Sequence, residues 1–400
     1  MTHVVVIGAG QAGASLVGRL RTGGFDGAIT LLGEEPVPPY QRPPLSKKYL
    51  LGEMAVERLF LRPEAAYAEA GIDLRTGTRV TAIDRAAREV VMGAARLGYD
   101  TLVLATGSRP RRLPRAIGGD LGGVHVVRTL GDVDAMAPGV VPGARVLIVG
   151  GGYIGLEAAA VAAARGLAVT LVEMAPRILG RVAAPETADY FRALHARHGV
   201  DIREGVGLER LLGEGHVTGA RLSDGSEIAA DMVIVGVGIT PDTALAEAAG
   251  LKIDNGIAVD AQGRTSDPAI FAAGDCASFP YGGERLRLES VPNAIDMAEC
   301  VADNILGHPR DYVPKPWFWS DQYDVKLQIA GLGAGHDRIV TRAVGDARSI
   351  WYYQGDRLLA VDAMNDPRAY MVGKRLIEAG RTADPALVAD PATDLKALLT

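Results

Sequence analysis

Two glycine-rich loops, each followed along the chain by an acidic side chain, could each hold one dinucleotide. Their glycines are Gly8, Gly10 and Gly13 in GAGQAG, and Gly150, Gly152 and Gly155 in GGGYIG. Such glycines permit a tight turn, a close approach of the backbone to a pyrophosphate, and close packing of a helix on a strand. The helix that follows offers free N–H groups and the positive end of its dipole. Two such loops in one chain predict electron transfer between two bound nucleotides.

An acid that could bind a ribose diol follows each loop. Glu34, with Glu35 beside it, follows the first loop, and Glu173 follows the second. The sequence leaves open which of Glu34 and Glu35 takes that role. Each loop with its acid forms a complete dinucleotide-binding unit, which is a more specific signal than a glycine loop alone.

The segments around both loops have the pattern of strand, loop, helix and strand. The β-branched runs VVVI and RVLIV precede the loops, and helical segments of small residues follow them. The later runs TLVLATG and MVIVGVG, the second over residues 232–238, are predicted to return the chain to each sheet. Parallel strands that lie between helices are buried on both faces, so their apolar runs are continuous. We therefore predict an α/β fold with two Rossmann-like dinucleotide-binding domains that form an internal repeat.

The last part of the chain has a different pattern. A helix is predicted to begin near Pro292, with Ser290 as its N-cap. After Pro316, strand-like pieces alternate with turns that contain glycine and aspartate, and a helix is predicted over residues 367–380. These features predict a C-terminal α+β domain.

Composition narrows the class of protein. The chain has 400 residues, enough for two or three domains, and a formal net charge of -6, which argues against a general nucleic-acid role. Its apolar runs fall short of the roughly 18 residues that a membrane helix needs. The first strand is predicted within three residues of the N-terminus, which leaves no room for a signal peptide. We expect a cytoplasmic protein without a membrane partner. The two cysteines, Cys276 and Cys300, argue against a disulfide framework and a structural metal site.

Motifs along the whole chain resemble those of the FAD- and NADH-dependent ferredoxin reductases that serve bacterial oxygenases, the putidaredoxin reductase type. The motifs are GAGQAG, RPPLSK, LATGSRP, VRTL, GGGYIGLE, TSDPAIFAAGDCA, ESVPNA and PWFWSDQ. RPPLSK, ESVPNA and WFWSDQ are much more specific than the glycine loops. The resemblance implies a glutathione-reductase-like flavoprotein with a discontinuous FAD domain (residues 1–108 and 240–316), an NADH domain (109–239) and a C-terminal domain (317–400).

The resemblance also implies which residues would hold a non-covalent FAD. Asp275 is implied for the ribityl chain, and the start of the helix near Pro292 for an edge of the flavin ring. Trp319 is implied to cover that ring, although a plain core position is the alternative. The implied FAD-binding residues are Gly8, Gly10, Ala12, Gly13, Glu34, Glu35, Lys47, Val80, Ala105, Thr106, Gly107, Arg128, Asp275, Val291 and Trp319.

Lys47 and Glu157 are implied as a pair at the flavin. Lys47 matches the family lysine beside the ring, where a cation would stabilise the negative charge of the reduced flavin. Glu157 matches the partner of that lysine. An exposed lysine and a helix-surface glutamate are the alternatives. We favour the pair, because a buried acid needs a cation beside it.

The second loop is implied to bind NADH as a substrate. Gly150, Gly152, Ile154 and Gly155 would surround its pyrophosphate, and Glu173 would bind its ribose hydroxyls. A carboxylate there repels the extra phosphate of NADPH. Arg177 lies near enough in sequence to weaken that preference, so we expect NADH to be favoured but not exclusive.

The resemblance implies hydride transfer from NADH to FAD, then single-electron transfer to a 2Fe–2S ferredoxin. That ferredoxin would supply an oxygenase, in the first instance a cytochrome P-450 type monooxygenase. Such ferredoxins are usually acidic, so a basic patch would steer their association. The candidate patch residues are Arg310, Lys315, Lys326 and Arg338.

Two other functions remain open at this point. One is a flavoprotein reductase with another acceptor, such as oxygen or the acceptors of the rubredoxin and nitrite reductase branches. The other is a redox-sensing binding protein that resembles apoptosis-inducing factor. Dithiol and peroxidase chemistry are disfavoured, because the chain has no cysteine before Cys276.

Overall fold

Continuous apolar runs form the central strands of two parallel sheets, as their patterns predict. In the first run Val4, Val5 and Val6 are completely buried, and in the second Leu147 and Ile148 are completely buried. Helices cover such strands on both faces, so every position in the run faces protein. The structure is a computed structural model and describes residues 2–399.

The described residues form the following helices and strands. The helices are α1 (Gln11–Thr22), α2 (Glu64–Glu69), α3 (Leu130–Met136), α4 (Tyr153–Ala164), α5 (Pro185–Arg197), α6 (Ala244–Ala248), α7 (Val291–Ile305), α8 (Pro367–Glu378) and α9 (Pro385–Ala389). The strands are β1 (His3–Ile7), β2 (Ala28–Leu32), β3 (Ile72–Arg75), β4 (Ala82–Asp84), β5 (Glu89–Met92), β6 (Ala95–Gly98), β7 (Thr101–Leu104), β8 (Ser108–Pro110), β9 (Val124–His125), β10 (Arg145–Val149), β11 (Ala168–Glu173), β12 (Asp201–Glu204), β13 (Leu208–Leu212), β14 (Gly219–Leu222), β15 (Glu227–Ala229), β16 (Met232–Val235), β17 (Ile239–Pro241), β18 (Ile257–Ala258), β19 (Ile270–Ala272), β20 (Ala277–Tyr281), β21 (Glu284–Leu286), β22 (Trp317–Gln322), β23 (Val325–Gly331), β24 (Arg338–Val344), β25 (Ala347–Gln354) and β26 (Arg357–Met364).

The chain divides into two compact units. The first unit comprises residues 1–42, 54–109 and 239–315. The second unit comprises residues 43–53, 110–238 and 316–400. The segment 43–53, which carries Lys47, therefore groups with the second unit, whereas the implied layout places it in the FAD domain. The three-part domain layout stays a prediction.

The first unit is built on a parallel sheet with the strand order β19-β7-β1-β2-β3. An antiparallel sheet, β4-β5-β6, is inserted between β3 and β7. Helices α1 and α7 both pack in this unit, and Ser290 caps α7 by accepting the Asn293 N–H. This cap and the early Pro292 are those that the sequence predicts.

The second unit repeats that plan. Its parallel sheet has the order β12-β11-β10-β16-β9, and an antiparallel sheet, β13-β14-β15, is inserted between β12 and β16. The two sheets match strand for strand from the glycine loop onwards. They differ at one edge, where β19 comes late in the chain and β9 comes before the second loop. The predicted pair of Rossmann-like units is confirmed.

A five-stranded antiparallel sheet, β22-β23-β26-β25-β24, with α8 against it, forms the C-terminal part of the second unit. A buried polar cluster joins this sheet to α5. Asp362 accepts hydrogen bonds from Tyr352 and from Thr187 Oγ1, and the Tyr352 hydroxyl accepts the Ala184 N–H at 2.8 Å. Burial raises the pKa of Asp362 to about 6. The predicted α+β domain is thus present.

Two predicted elements extend past the observed ones, and each predicted last residue is a glycine with positive φ. The strand predicted over 232–238 ends at Val235, and Gly238 beyond it has φ +100°. The helix predicted over 367–380 ends at Glu378, and Gly380 has φ +64°. Positive φ is readily adopted by glycine and terminates regular structure.

Candidate functional site

The first glycine loop forms a cradle between β1 and α1. Gly8 has φ +113°, and a Cβ on it would lie 2.1 Å from Ala105 O. A Cβ on Gly13 would lie 2.0 Å from Gly8 O, so helix and loop are in direct contact. Around Gly10, by contrast, such a Cβ would have no atom within 4 Å among the described residues beyond its chain neighbours. The open space above the middle glycine, at the start of a helix, fits a pyrophosphate.

Other predicted FAD residues lie in the same unit around this cradle. Gly274 approaches Ala12, because a Cβ on Gly274 would lie 3.0 Å from the Ala12 Cβ. Next to it, Asp275 accepts a hydrogen bond of 2.9 Å from Ser108 Oγ. Thr106 Oγ1 donates to Asp242 O at 2.6 Å, and Asp242 N–H donates to Gly107 O, which fixes the end of β7. Val80 is a buried core residue, and Val291 is the first residue of α7.

The two acids after β2 differ in their surroundings. Glu34 has a side chain that is 60% exposed and lies 3.6 Å from Arg79. Glu35 is already engaged at both oxygens, because it accepts from the Tyr40 hydroxyl and from Arg42 Nη2, each at 2.7 Å. Glu34 is therefore the acid with the more accessible carboxylate.

The second glycine loop has the same geometry. Gly150 has φ +108°, and a Cβ on it would lie 2.5 Å from Gly236 O. A Cβ on Gly155 would lie 2.1 Å from Gly150 O. Within the described chain, a Cβ on Gly152 would meet open space. This loop therefore also fits a pyrophosphate, and Ile154, which is 44% exposed, lies in the first turn of α4.

Glu173 lies directly against the second loop. Its carboxylate accepts the Gly151 N–H at 2.7 Å and the Ala175 N–H at 2.7 Å. These bonds fix the carboxylate at the end of β11, beside the open space of the loop. A carboxylate in that place can bind ribose hydroxyls and repel a phosphate.

Lys47 and Glu157 form an ion pair within the second unit. Lys47 Nζ lies 2.9 Å from Glu157 Oε1, with the two side chains 17% and 8% exposed. Ser46 Oγ donates to Glu157 Oε2 at 3.1 Å, and Ser320 Oγ donates to Oε1 at 2.7 Å. Burial raises the pKa of Glu157, and Lys47 and the two hydroxyls oppose that rise. The expected pair is present, and α4 holds its acid one helical turn from the second glycine loop.

Comparison with known proteins identifies the family. Residues 2–298 match the model described as pyridine nucleotide-disulphide oxidoreductase, and residues 317–399 match that described as reductase C-terminal. The chain belongs to the pyridine nucleotide-disulphide oxidoreductase family. It is therefore an oxidoreductase, and its family uses a flavin and a pyridine nucleotide.

Full-length relatives within this oxidoreductase family are ferredoxin reductases. The chain is 43% identical to putidaredoxin reductase of Pseudomonas putida, over 99% of this chain and 96% of that protein. It is 44% identical to a ferredoxin–NAD(P)(+) reductase of a Sphingomonas species, over 100% and 98%. The crystal structure of a covalent putidaredoxin reductase–putidaredoxin complex matches it with a TM-score of 0.96 at 41% identity, covering 100% of this chain and 98% of that one.

The cysteines of this oxidoreductase do not fit the disulphide chemistry that the family's name describes. Both of its cysteines, Cys276 and Cys300, are buried free thiols. Burial raises the pKa of each thiol, so neither is a ready nucleophile. The geometry thus gives no support to a dithiol reaction.

The remaining predicted residues lie in the second unit, apart from Arg310 and Lys315. Trp319 is partly exposed on β22, with its ring 5.5 Å from that of Trp317, and Arg128 is partly buried before α3. Arg310 is not a free surface cation, because it lies 2.9 Å from Asp303. Lys315, Lys326 and Arg338 are exposed. None of the helices within residues 2–399 is long and apolar enough to cross a membrane.

Sequence reasoning missed Ser46 and Ser320, although both stand in motifs that it used. Ser46 precedes Lys47 in RPPLSK, and Ser320 follows Trp319 in WFWSDQ. Neighbouring position in RPPLSK was an available signal for Ser46. Ser320 likewise lies next to the predicted Trp319, but nothing in the sequence links either serine to Glu157, which is 111 residues from Ser46 and 163 from Ser320.

Proposed function

We propose that this oxidoreductase is an NADH-dependent ferredoxin reductase. It binds FAD without a covalent bond, oxidises NADH and delivers single electrons to a 2Fe–2S ferredoxin. That ferredoxin supplies an oxygenase, in the first instance a P-450 type monooxygenase. The observation that carries the proposal is the pair of matching glycine cradles together with the buried Lys47–Glu157 ion pair. The acceptor class rests on the relatives, which are named as reductases of ferredoxin or putidaredoxin.

The first unit supplies the FAD cradle. The loop at Gly10 and the free N–H groups of the first turn of α1 bind the pyrophosphate, since that helix end favours an anion. Glu34 binds the adenosine ribose, because its carboxylate is the accessible one of the two acids. Asp275, held by Ser108, binds the ribityl chain.

The second unit binds NADH. The loop at Gly152 takes the pyrophosphate, and Glu173 accepts hydrogen bonds from the ribose hydroxyls. Because Glu173 is already fixed by two backbone N–H groups, it needs little reorganisation on binding. Its negative charge disfavours NADPH.

When bound, FAD supplies the chemistry that links a two-electron donor to a one-electron acceptor. The chain contributes orientation and electrostatics. Lys47 would supply a positive charge that stabilises the negative charge of the reduced flavin. Glu157 holds Lys47 Nζ in place, and Ser46 and Ser320 hold Glu157.

The experiment measures NADH-dependent reduction of cytochrome c with and without added 2Fe–2S ferredoxins. We expect at least one ferredoxin to stimulate the rate, and the stimulation to fall with added salt. The flavin is identified after denaturation of the purified protein. Colourless protein that takes up no FAD contradicts the proposal. Coloured, NADH-reducible protein that no ferredoxin stimulates assigns a different acceptor.

A matched pair of variants tests the role of Lys47. Lys47→Met removes the buried ion pair, whereas Lys48→Met changes its exposed neighbour. We expect Lys47→Met alone to slow reduction of the flavin by NADH. Equal effects of the two variants contradict a specific role for Lys47.

A further inference from the structure

A continuous series of hydrogen bonds leads from Glu157 to Tyr323, in the turn between β22 and β23. Ser320 Oγ lies 2.7 Å from Glu157 Oε1, and Gln322 Nε2 lies 3.2 Å from Ser320 Oγ. Gln322 Oε1 lies 2.8 Å from His195 Nε2, and the Tyr323 hydroxyl lies 3.1 Å from His195 Nδ1. Ser320, Gln322 and His195 are completely buried. Three elements, α4, β22 and α5, are thereby connected.

The Glu157 carboxylate fixes which atom donates in every hydrogen bond of this series. An ionised carboxylate only accepts, so Ser320 Oγ–H donates to Glu157. Ser320 Oγ then accepts from the Gln322 amide nitrogen, which turns Gln322 Oε1 towards His195. His195 must therefore carry its proton on Nε2 and leave Nδ1 as an acceptor for the Tyr323 hydroxyl. All four donors point towards Glu157.

His195 is suited to remain neutral in that position. Burial lowers the pKa of His195 to about 4, and the hydrogen bond to Gln322 opposes this only in part. At neutral pH the ring thus has one donor nitrogen and one acceptor nitrogen, as the chain requires.

The outer end of the chain lies at a strained turn. Tyr323 connects β22 to β23 with φ +54°, a left-handed conformation that is unfavourable for a residue with a Cβ. Its ring stacks on His198 at a centroid distance of 3.6 Å and an interplanar angle of 9°. Such strain persists only where surrounding contacts enforce it. The stacking and the hydrogen bond to His195 supply these contacts.

This series of hydrogen bonds orients the Glu157 carboxylate and does not conduct protons, because a neutral amide such as Gln322 does not readily give up its proton. If the Gln322 amide turned over, its oxygen would face Ser320 Oγ and compete with Glu157 for the single hydroxyl proton. Only with Gln322 Nε2 on Ser320 and the proton on His195 Nε2 does every side chain of the series make its hydrogen bond while the Ser320 hydroxyl stays on Glu157.

We propose that His195 and Gln322 are positioning residues that act through Ser320 to hold the Glu157 carboxylate against Lys47. The inference rests on the proposed function, because the pair matters to electron transfer only if Lys47 contacts the flavin. It assigns a role in that reaction to residues on α5 and β22 that the sequence motifs left without one.

The first test determines the tautomer of His195. Nitrogen NMR on the purified protein labelled at histidine distinguishes the two neutral forms, and His195→Gln assigns the signal. We expect His195 to be neutral with its proton on Nε2. A proton on Nδ1, or a charged ring at neutral pH, overturns the chain. This result does not depend on the identity of the electron acceptor.

The second test compares three variants of the holoenzyme. His195→Leu removes the donor, His195→Gln retains a donor near the position of Nε2, and His198→Leu removes the stacking partner outside the chain. The readouts are the rate of flavin reduction at saturating NADH, the KM for NADH and the midpoint potential of the bound flavin.

We expect His195→Leu to slow flavin reduction about tenfold with KM unchanged, as loss of a buried hydrogen bond towards a charged pair would. The midpoint potential of the bound flavin should fall by about 30 mV, which corresponds to a tenfold change in the equilibrium constant of a two-electron couple. His195→Gln keeps the donor and His198→Leu changes an exposed residue, so both should stay within about twofold of the unmodified protein. Equal loss in His195→Gln, equal loss in His198→Leu, or no loss in His195→Leu overturns the inference.

Ser320→Ala provides a second route if His195→Leu does not fold. It removes the last donor without adding volume, and we expect the same fall in rate and potential. If the unmodified protein holds flavin and reduces a ferredoxin while these variants match it, the inference alone fails. If the unmodified protein holds no flavin, the proposed function fails, and the tautomer still decides whether the chain exists.

Discussion

The two glycine cradles share one backbone but differ in how the acid reaches it. In the first unit Ile7 pairs with Leu32, and Gly8 N–H donates to Leu32 O at 2.9 Å. In the second unit Val149 pairs with Val172, and Gly150 N–H donates to Val172 O at 2.8 Å. With the registers matched, the residue after Val172 is Glu173.

In the first unit the matching residue, after Leu32, is Gly33 rather than an acid. Gly33 packs on Ala9, since a Cβ on Gly33 would lie 2.7 Å from the Ala9 Cβ. In the second unit Gly151 stands in place of Ala9, and its N–H bonds to Glu173. In the first unit the glycine follows β2 and the loop carries Ala9, whereas in the second unit the loop carries the glycine and Glu173 follows β11. The position of the acid therefore depends on the size of the second residue of the loop.

The largest effect is expected where the two units are most alike. Gly13→Val and Gly155→Val each place atoms against a loop carbonyl about 2 Å away. We expect each to lower the free energy of unfolding by about 3 kcal/mol, through displacement of helix from loop. Urea denaturation measures this effect.

The middle glycines supply the matched control for those variants. Gly10→Ala and Gly152→Ala enter open space, so stability should change by no more than about 0.5 kcal/mol. Binding should nevertheless be lost, of flavin in Gly10→Ala and of NADH alone in Gly152→Ala. Full retention of both nucleotides by both variants would show that the loops are not the cradles.

A double-mutant cycle in the first unit tests whether the contact between Ala9 and Gly33 is limited by size. Gly33→Ala should cost about 1–2 kcal/mol by overpacking against Ala9. Adding Ala9→Gly should recover at least half of that loss, because the two sites are in contact. Additive losses in thermal or urea unfolding would refute the packing argument. The same cycle does not apply to the second unit, because the loop residue opposite Glu173 is already a glycine, Gly151.

The strand–loop–helix pattern predicted these units because it is set by residues close together in the chain. The N-cap at Ser290 was predictable for the same reason. The places of the edge strands β9 and β19 in their sheets did not follow from local pattern, since these strands join their sheets from distant parts of the chain. The contact between Glu157 and Ser320 likewise depends on tertiary packing. Glu34 and Glu173 each follow a glycine loop along the chain, and the strand register shows that they do not occupy equivalent positions.

A smaller effect is expected from a variant of Glu173, which tests the preference of the second unit for NADH over NADPH. Glu173→Gln keeps the size of the side chain but removes its charge. We expect KM for NADH to rise about tenfold with kcat little changed, because a hydrogen bond to a charged group is weakened. The ratio of kcat/KM for NADH to that for NADPH should fall. An unchanged ratio would mean that Glu173 is not the ribose ligand.

The smallest effect is expected at Glu34. Glu34→Gln disturbs an exposed contact with Arg79 and an electrostatic interaction with the exposed Arg109, so stability should change by less than about 0.5 kcal/mol. Affinity for FAD should fall about threefold, less than a buried hydrogen bond would give, since the site is open to water. Glu35→Gln should do the reverse, because it breaks the contacts to Tyr40 and Arg42 and so lowers stability by about 1–2 kcal/mol. Flavin titration and urea unfolding of both variants separate the two acids. A larger loss of flavin affinity in Glu35→Gln, at unchanged stability, would reassign the ribose contact to Glu35.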